Sequence, residues 1–389
     1  MTGGGATDEA PAQGPRETGP PPPTALRRAL SIGFRVLGVA LLGAVLWKVP
    51  WRDRVHLADG SVRTGRLAED WHPGAPVRLE EGTEIVEVPA ASLAARERGM
   101  PAVEEGVLRL STRFRAGPAL AVILIAGVSV AVAALRWRML VRAQGVPLPV
   151  KEAGALTLLG NFFNQVVPGG LVGGDVLKAI YAARAGGGTA PALVSVFTDR
   201  ALGLFGMIVL ACAALAPRWE DPRFHGHAVL AYGILAAGIV GSALVFSRRL
   251  RTRLQLERRA AAVPGIGSFL AEADQAVVAF RERKGVLAIG LLVSVAIHCG
   301  WCGVNAILGG MLGVDLPVSA WFAVVPPILV VSVVPLLPGG WGLGEASYVF
   351  FLGLVGVPPA EAVAVSILGR SINMLWALPG GFVFLARRG

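Results

Sequence analysis

Charge is what this sequence has least of. Asp, Glu, Lys and Arg supply 16% of its 389 residues, where soluble domains carry about 25%. A chain of this length folded in water needs more charge than that on its surface, so the deficit points to lipid. Cysteine is scarce as well. Cys212, Cys299 and Cys302 all lie in apolar stretches, which excludes a disulfide framework. Cys299-Gly-Trp-Cys302 has the spacing of a redox pair but lacks the strand–helix–strand context such a pair needs. His298 beside it has too few companions for a metal site. No phosphate-binding glycine loop, nucleophile elbow or zinc-binding helix is present, and no spacing ties Ser, His and Asp together. No cofactor, metal or catalytic residue is therefore expected. The dyad alternation of outer-membrane barrels is missing too, so any spans are helical.

What the chain has instead is long apolar runs, several reaching the roughly 20 residues that cross a bilayer. Expected spans are Leu30–Val49, Pro118–Leu135, Pro191–Ala216, Val229–Phe246, Val286–Leu308 and Ala362–Ala386. The formal net charge of +10 does not indicate nucleic acid. Its basic residues fall in short segments between the spans, among them Arg27, Arg28, Arg136, Arg138, Arg142, Arg387 and Arg388, as the positive-inside rule requires. That pattern predicts a multi-pass protein of the cytoplasmic membrane with both termini inside.

The chain divides accordingly. Residues 1–24 read as a disordered tail rich in Gly, Pro and Thr. Residues 25–50 hold the first transmembrane helix. Residues 51–115 form a small β-rich extracytoplasmic insert, with hairpins around Asp59-Gly60 and Gly82. Residues 116–246 and 285–389 make two halves of a membrane bundle. Between them, 247–284 is a basic cytoplasmic connection, in which Phe269, Leu270, Ala273, Ala276, Val277 and Phe280 recur at helical spacing.

Two apolar regions are interrupted. Residues 152–187 break at Pro168-Gly169-Gly170 and Gly173-Gly174-Asp175; residues 317–357 break at Pro338-Gly339-Gly340 and Gly342-Leu343-Gly344-Glu345. Shifted by 170 positions, Pro168 falls on Pro338, Gly174 on Gly344, Asp175 on Glu345 and Arg200 on Arg370. The topology makes the first break a hairpin entering from inside and the second one from outside. The fold class expected is thus an all-α polytopic bundle with an inverted repeat and two re-entrant hairpins. Main-chain groups freed by Pro and Gly must face protein or a wet cavity, which places a candidate site at the two tips.

The site candidates follow. Asp175 and Glu345 suit the start of a helix, as an N-cap and a first-turn acid, or line the site. Arg200 and Arg370 are charges in mid-membrane, each costing roughly 2.5–3.5 kcal/mol on insertion scales. Asp199 and Arg200, as helix neighbours, point about 100° apart and seek partners elsewhere. A crossed arrangement is expected, with each arginine near an acidic hairpin residue. The alternatives are a structural ion pair and an arginine fork that grips phosphate. Asn161, Asn164 and Asn373 line the cavity or bridge helices.

The runs 161–178 (Asn-Phe-Phe-Asn-Gln-Val-Val-Pro-Gly-Gly-Leu-Val-Gly-Gly-Asp-Val-Leu-Lys), 198–204 (Thr-Asp-Arg-Ala-Leu-Gly-Leu) and 338–345 (Pro-Gly-Gly-Trp-Gly-Leu-Gly-Glu) resemble the membrane region of lysylphosphatidylglycerol synthase/flippase proteins over about 118–386. The resemblance implies a helical bundle with re-entrant pieces that moves lipids between leaflets. It does not extend to the soluble synthase domain. Lys178 stands where the family usually has an arginine, and lysine keeps the charge but not the bidentate fork. The insert at 51–115 is unusual for the family. The expected function is a flippase-like transporter acting on a membrane lipid. The alternatives are a non-transporting lipid-binding partner of an envelope-lipid enzyme and a membrane-embedded transferase.

Overall fold

The computed structural model describes residues 51–387 except 70, 73, 95–101, 111–114, 167–169, 248, 250–252, 254–266 and 333–341. The expected tail and first span lie outside the described residues, as do Pro168, Gly169, Pro338, Gly339 and Gly340.

The polar segment after residue 51 is an antiparallel sheet. Its strands β1 (Asp53–His56), β2 (Val62–Leu67), β3 (Val77–Glu81), β4 (Glu84–Val88) and β5 (Val103–Glu104) lie in the order β4-β3-β2-β1-β5. Alternation places Val55, Leu67, Val77, Leu79, Val88 and Val103 on one buried face. Both expected hairpins are present. Asp59 accepts from the amide and hydroxyl of Ser61 beside Gly60, and Gly82 takes a positive φ of 69° between β3 and β4. The buried Asp53 carboxylate accepts from the amides of Leu67 and Gly106, which ties the sheet to a short helical turn at Val107–Leu110. Leu110 enters the core of the bundle.

Ten helices follow. The first four are α1 (Ala116–Ala143), α2 (Val150–Val166), α3 (Gly170–Ala183) and α4 (Thr189–Leu215). Then come α5 (Pro222–Val245) and α6 (Gly267–Glu282). The last four are α7 (Lys284–Met311), α8 (Val318–Ser332), α9 (Leu343–Gly353) and α10 (Pro359–Ala386). The segments containing α1, α4, α5, α7 and α10 are long and apolar enough to cross a membrane. The 17 residues of α2, 14 of α3, 15 of α8 and 11 of α9 fall short of the roughly 20 needed. They pair instead as hairpins, α2 with α3 and α8 with α9.

The two sets of four helices match. A shift of 168 carries Ala116–Ala143 onto Lys284–Met311 and Val150 onto Val318; a shift of 170 carries Ala183 onto Gly353 and Thr189 onto Pro359. The helix endings match too. Gly145 and Gly313 both take φ of 83°, and the amides of Val146 and Val314 reach back to the carbonyls of Val141 and Gly309. This is the left-handed helix stop for which glycine is suited.

The halves are upside down relative to each other. On α1, Ile125 and Ser129 lie beside Gly300 of α7, Arg136 bonds Ser294, and Met139 lies beside Gly290. The equivalent helices therefore run antiparallel. Each hairpin starts a few residues after its long helix ends, so α2–α3 enters the bundle from one end and α8–α9 from the other. The end at which α1 finishes is called the near end below; the sheet lies at the far end.

Helix α6 docks on the near end. Ala276 and Phe280 are buried with Leu140, Ala143 and Val194, and Gln144 donates to the Ala276 carbonyl. The later part of its expected apolar stripe, Ala273, Ala276, Val277 and Phe280, thus lies on the bundle, while Phe269 is exposed. Helix α5 is the most exposed span, resting mainly on α4.

Candidate functional site

Arg200 on α4 grips Asp175 on α3 with two nitrogens, Nε to Oδ2 at 2.5 Å and Nη2 to Oδ1 at 2.9 Å. In the second half Arg370 on α10 pairs with Glu345 on α9, Nε to Oε1 at 2.6 Å. Each arginine thus holds the acid of its own half. The expected crossed arrangement is corrected: the hairpin's returning limb and the helix after it are joined by a short loop, which brings residues 25 apart face to face.

The two acids differ in setting. Of the two readings of Asp175, the N-cap does not hold, because α3 starts at Gly170 and Asp175 sits inside the helix, paired across to Arg200 of α4. Gly173 and Gly174 likewise lie within a continuous helix rather than at a break. No neighbour crowds Gly173, but a side chain at Gly174 would collide with the Gly160 carbonyl and Asn164 of α2. That glycine serves close approach of the two limbs. Glu345 does cap its helix, its Oε2 accepting from the Gly342 amide at 2.6 Å, where Gly342 turns with φ of 88°. Gly344 belongs to α9, and a side chain there would displace the guanidinium of Arg370.

Asp199 finds its partner in Arg136 of α1, whose Nε lies 2.8 Å from Oδ1. Arg136 also donates to Ser294 of α7 at 2.5 Å. From sequence it reads only as a topological marker at the end of a span, yet its side chain is 8% exposed. Helix α1 runs on to Ala143, seven residues past it. Lys178 on α3 is equally buried, its ammonium 3.8 Å from the centre of the Trp137 ring.

Arg136, Asp175, Asp199, Arg200 and His298 line a cavity of about 520 Å³ between the first half and α7 among apolar side chains, and Lys178 lies outside that lining, three residues beyond Asp175 on α3. His298 Nε2 lies 3.0 Å from the Gly203 carbonyl. The Arg200 side chain is 47% exposed there, whereas Arg370 is 17% exposed and Glu345 fully buried. The halves are therefore alike in fold, and the ion pair of the first is the more exposed of the two.

The family described as lysylphosphatidylglycerol synthase TM region matches residues 101–380. The chain belongs to that family. A UPF0104 membrane protein of Methanothermobacter thermautotrophicus is 22% identical over 262 residues, which is 61% of this chain and 76% of the relative. No solved structure matches.

Among the asparagines, Asn164 donates to Asp175 across the first hairpin at 3.4 Å, and Asn161 is half-buried on the same limb. Asn373 donates to the Gly369 carbonyl of its own helix at 3.3 Å, and among the described residues it makes no bond to another helix. Among the described residues no group of acids, histidines and cysteines is placed to hold a metal. The candidate site is a set of ion pairs with Lys178 against Trp137, and Arg136 and Trp137 carry no motif that sequence reading could have used.

Proposed function

We propose that the protein moves a lipid headgroup across the bilayer through the charged cavity between the first half and α7. The observation carrying this reading is the ion-pair set itself. Arg136, Asp175, Lys178, Asp199 and Arg200 stand among membrane-spanning helices, where each charge costs roughly 2.5–3.5 kcal/mol on insertion scales. A fold that needed only rigidity would reach it more cheaply with apolar packing. The cavity volume falls in the range of small-molecule sites, about 300–1,000 Å³, and the exposed fork of Arg200 suits a phosphate. The acyl chains would stay in the bilayer while the headgroup passes.

The paired halves support alternating access, in which two inverted repeats rock about a shared site. We place the protein in the cytoplasmic membrane with the near end inside, because Arg138, Arg142, Lys151, Arg184, Arg281, Arg283 and Arg387 gather there. The sheet then lies outside.

The test is headgroup exposure in vesicles. Purified protein is reconstituted with fluorescent phospholipids, and a membrane-impermeant reductant reports which leaflet holds them. The wild type is expected to speed exchange and Arg200→Ala to slow it severely. If the wild type exchanges no native lipid, transport is wrong; lipid that still copurifies would then favour the partner-subunit reading.

A further inference from the structure

The repeat supplies an internal control for the charges at the site. Position by position, Asp175 and Arg200 correspond to Glu345 and Arg370, one balanced pair in each half. The remaining charged positions of the first half have neutral counterparts. Arg136 corresponds to Val304, Asp199 to Gly369, Trp137 to Asn305 and Lys178 to Tyr348. In the second half Tyr348 donates to Asn305 at 2.8 Å, a neutral contact buried on both sides. At the same place in the first half a lysine ammonium lies on an indole face.

The charge count in the first half is therefore uneven. Arg200 is taken by Asp175 and Arg136 by Asp199, both within 2.8 Å. Lys178 is 6% exposed, and among the described residues no carboxylate lies within ion-pair distance of it. His298 counts as neutral. Its Nε2–H is committed to the Gly203 carbonyl, and its Nδ1 is buried with no partner, so a second ring proton would be left unsatisfied beside Arg136. Three cations face two carboxylates, an excess of one positive charge inside the membrane region.

We propose that Lys178 makes this site selective for a phosphodiester monoanion, so that it takes lipids of net negative headgroup and rejects zwitterionic ones. This rests on the assignment of a lipid headgroup to the cavity. One phosphodiester cancels the excess charge. An added ammonium restores it, and both carboxylates already hold arginines, so the ammonium meets no free acid. The Trp137 face holds the Lys178 ammonium in place without consuming its charge.

The experiment is native mass spectrometry of the purified full chain with phosphatidylglycerol or phosphatidylcholine of matched tails. A wild-type preference for phosphatidylglycerol on the order of tenfold is expected, kept in Lys178→Arg and lost in Lys178→Met. Equal occupancy by both lipids in the wild type overturns the proposal and needs no variant to fold. Full preference in a folded Lys178→Met overturns the role of Lys178. Dimethyl phosphate, the same head chemistry without tails, is the second arm: if it binds as tightly as the lipid, the ligand is a soluble phosphodiester and the lipid selectivity is overturned. Preference in binding without exchange in vesicles leaves this inference standing and removes the transport reading.

Discussion

Arg200 and Asp175 form a two-pronged pair whose arginine is half-exposed while its acid is 14% exposed. The pair is closed on the acid side and open on the arginine side. A ligand can meet the open edge of Arg200 while Asp175 keeps its hold on Nε and Nη2, without first unpacking the protein around the pair.

From this follows an expected split between stability and function. Asp175→Asn should abolish most lipid exchange while lowering the thermal midpoint less than loss of a fully buried partner does, because the half-exposed Arg200 is not stranded when its acid is removed. The exchanged variant, Asp175→Arg with Arg200→Asp, should regain part of the activity lost in either single change. Exchange assays and thermal unfolding on the same preparations read both quantities; equal exchange in Asp175→Asn and wild type would remove the pair from the mechanism.

The second-half pair should behave the other way. Glu345 is fully buried, caps α9 through the Gly342 amide and receives Arg370. Removing one partner of a buried pair costs about 3–5 kcal/mol because the other charge is stranded. Glu345→Gln is expected to lower the thermal midpoint by many degrees and to reduce folded yield. Thermal unfolding in detergent checks this, and a midpoint matching the wild type would show that the pair does not hold the second half.

Antiparallel packing of α1 on α7 predicts a specific cross-link. A Cβ on Gly300 would lie 3.3 Å from Ser129 Oγ, close to disulfide geometry, with Cβ atoms about 3.5–4.5 Å apart. With Cys212, Cys299 and Cys302 replaced by serine, Ser129→Cys with Gly300→Cys should link on mild oxidation. Ser129→Cys with Gly290→Cys should not, since ten residues of helix are about 15 Å. Gel mobility with and without reductant gives the answer, and a link in the second pair alone would break the inverted arrangement.

At the far end, Asp221 caps α5 by accepting from the Arg223 amide at 3.0 Å, and the Arg223 guanidinium lies 2.7 Å from it. Those bonds, the side-chain one foremost, hold its carboxyl below the usual carboxylate range. A lowered folded-state pKa contributes stability above the unfolded value, and that stability is lost as pH falls through the folded one. Asp221→Ala should therefore lower the thermal midpoint at neutral pH, and the gap to wild type should close only under strongly acidic conditions. A gap that stays constant down to such pH would separate the cap from its charge.

Much of this architecture could be read from residues. The spans after residue 115 follow from apolar length, and Asp59-Gly60 and Gly82 gave both hairpins of the sheet. The 170-residue shift aligned the acids and arginines, since the hairpin limb and the following helix repeat without a gap. The same shift hid a second match. Gly145-Val-Pro-Leu-Pro-Val150 repeats as Gly313-Val-Asp-Leu-Pro-Val318, but at 168, because the halves differ by two residues between the first limb of each hairpin and the second. The pairings were less legible. Which acid an arginine chooses depends on helix packing, and Arg136 resembles an ordinary loop-proximal basic residue until burial is known. Gly173 and Gly174 read as a break because glycine is a poor helix former, whereas tertiary contact with α2 keeps the helix intact through them.

Helix α5 has no counterpart in either set of four. A half made of one long helix, one hairpin and a second long helix returns the chain to the end where it started. The next half must begin at the opposite end, so parity demands a single extra traverse between the copies. Shorten the chain by that one crossing and the second copy would insert the other way up. Both hairpins would then open on one face, and a passage reachable from each side in turn would become a blind pit.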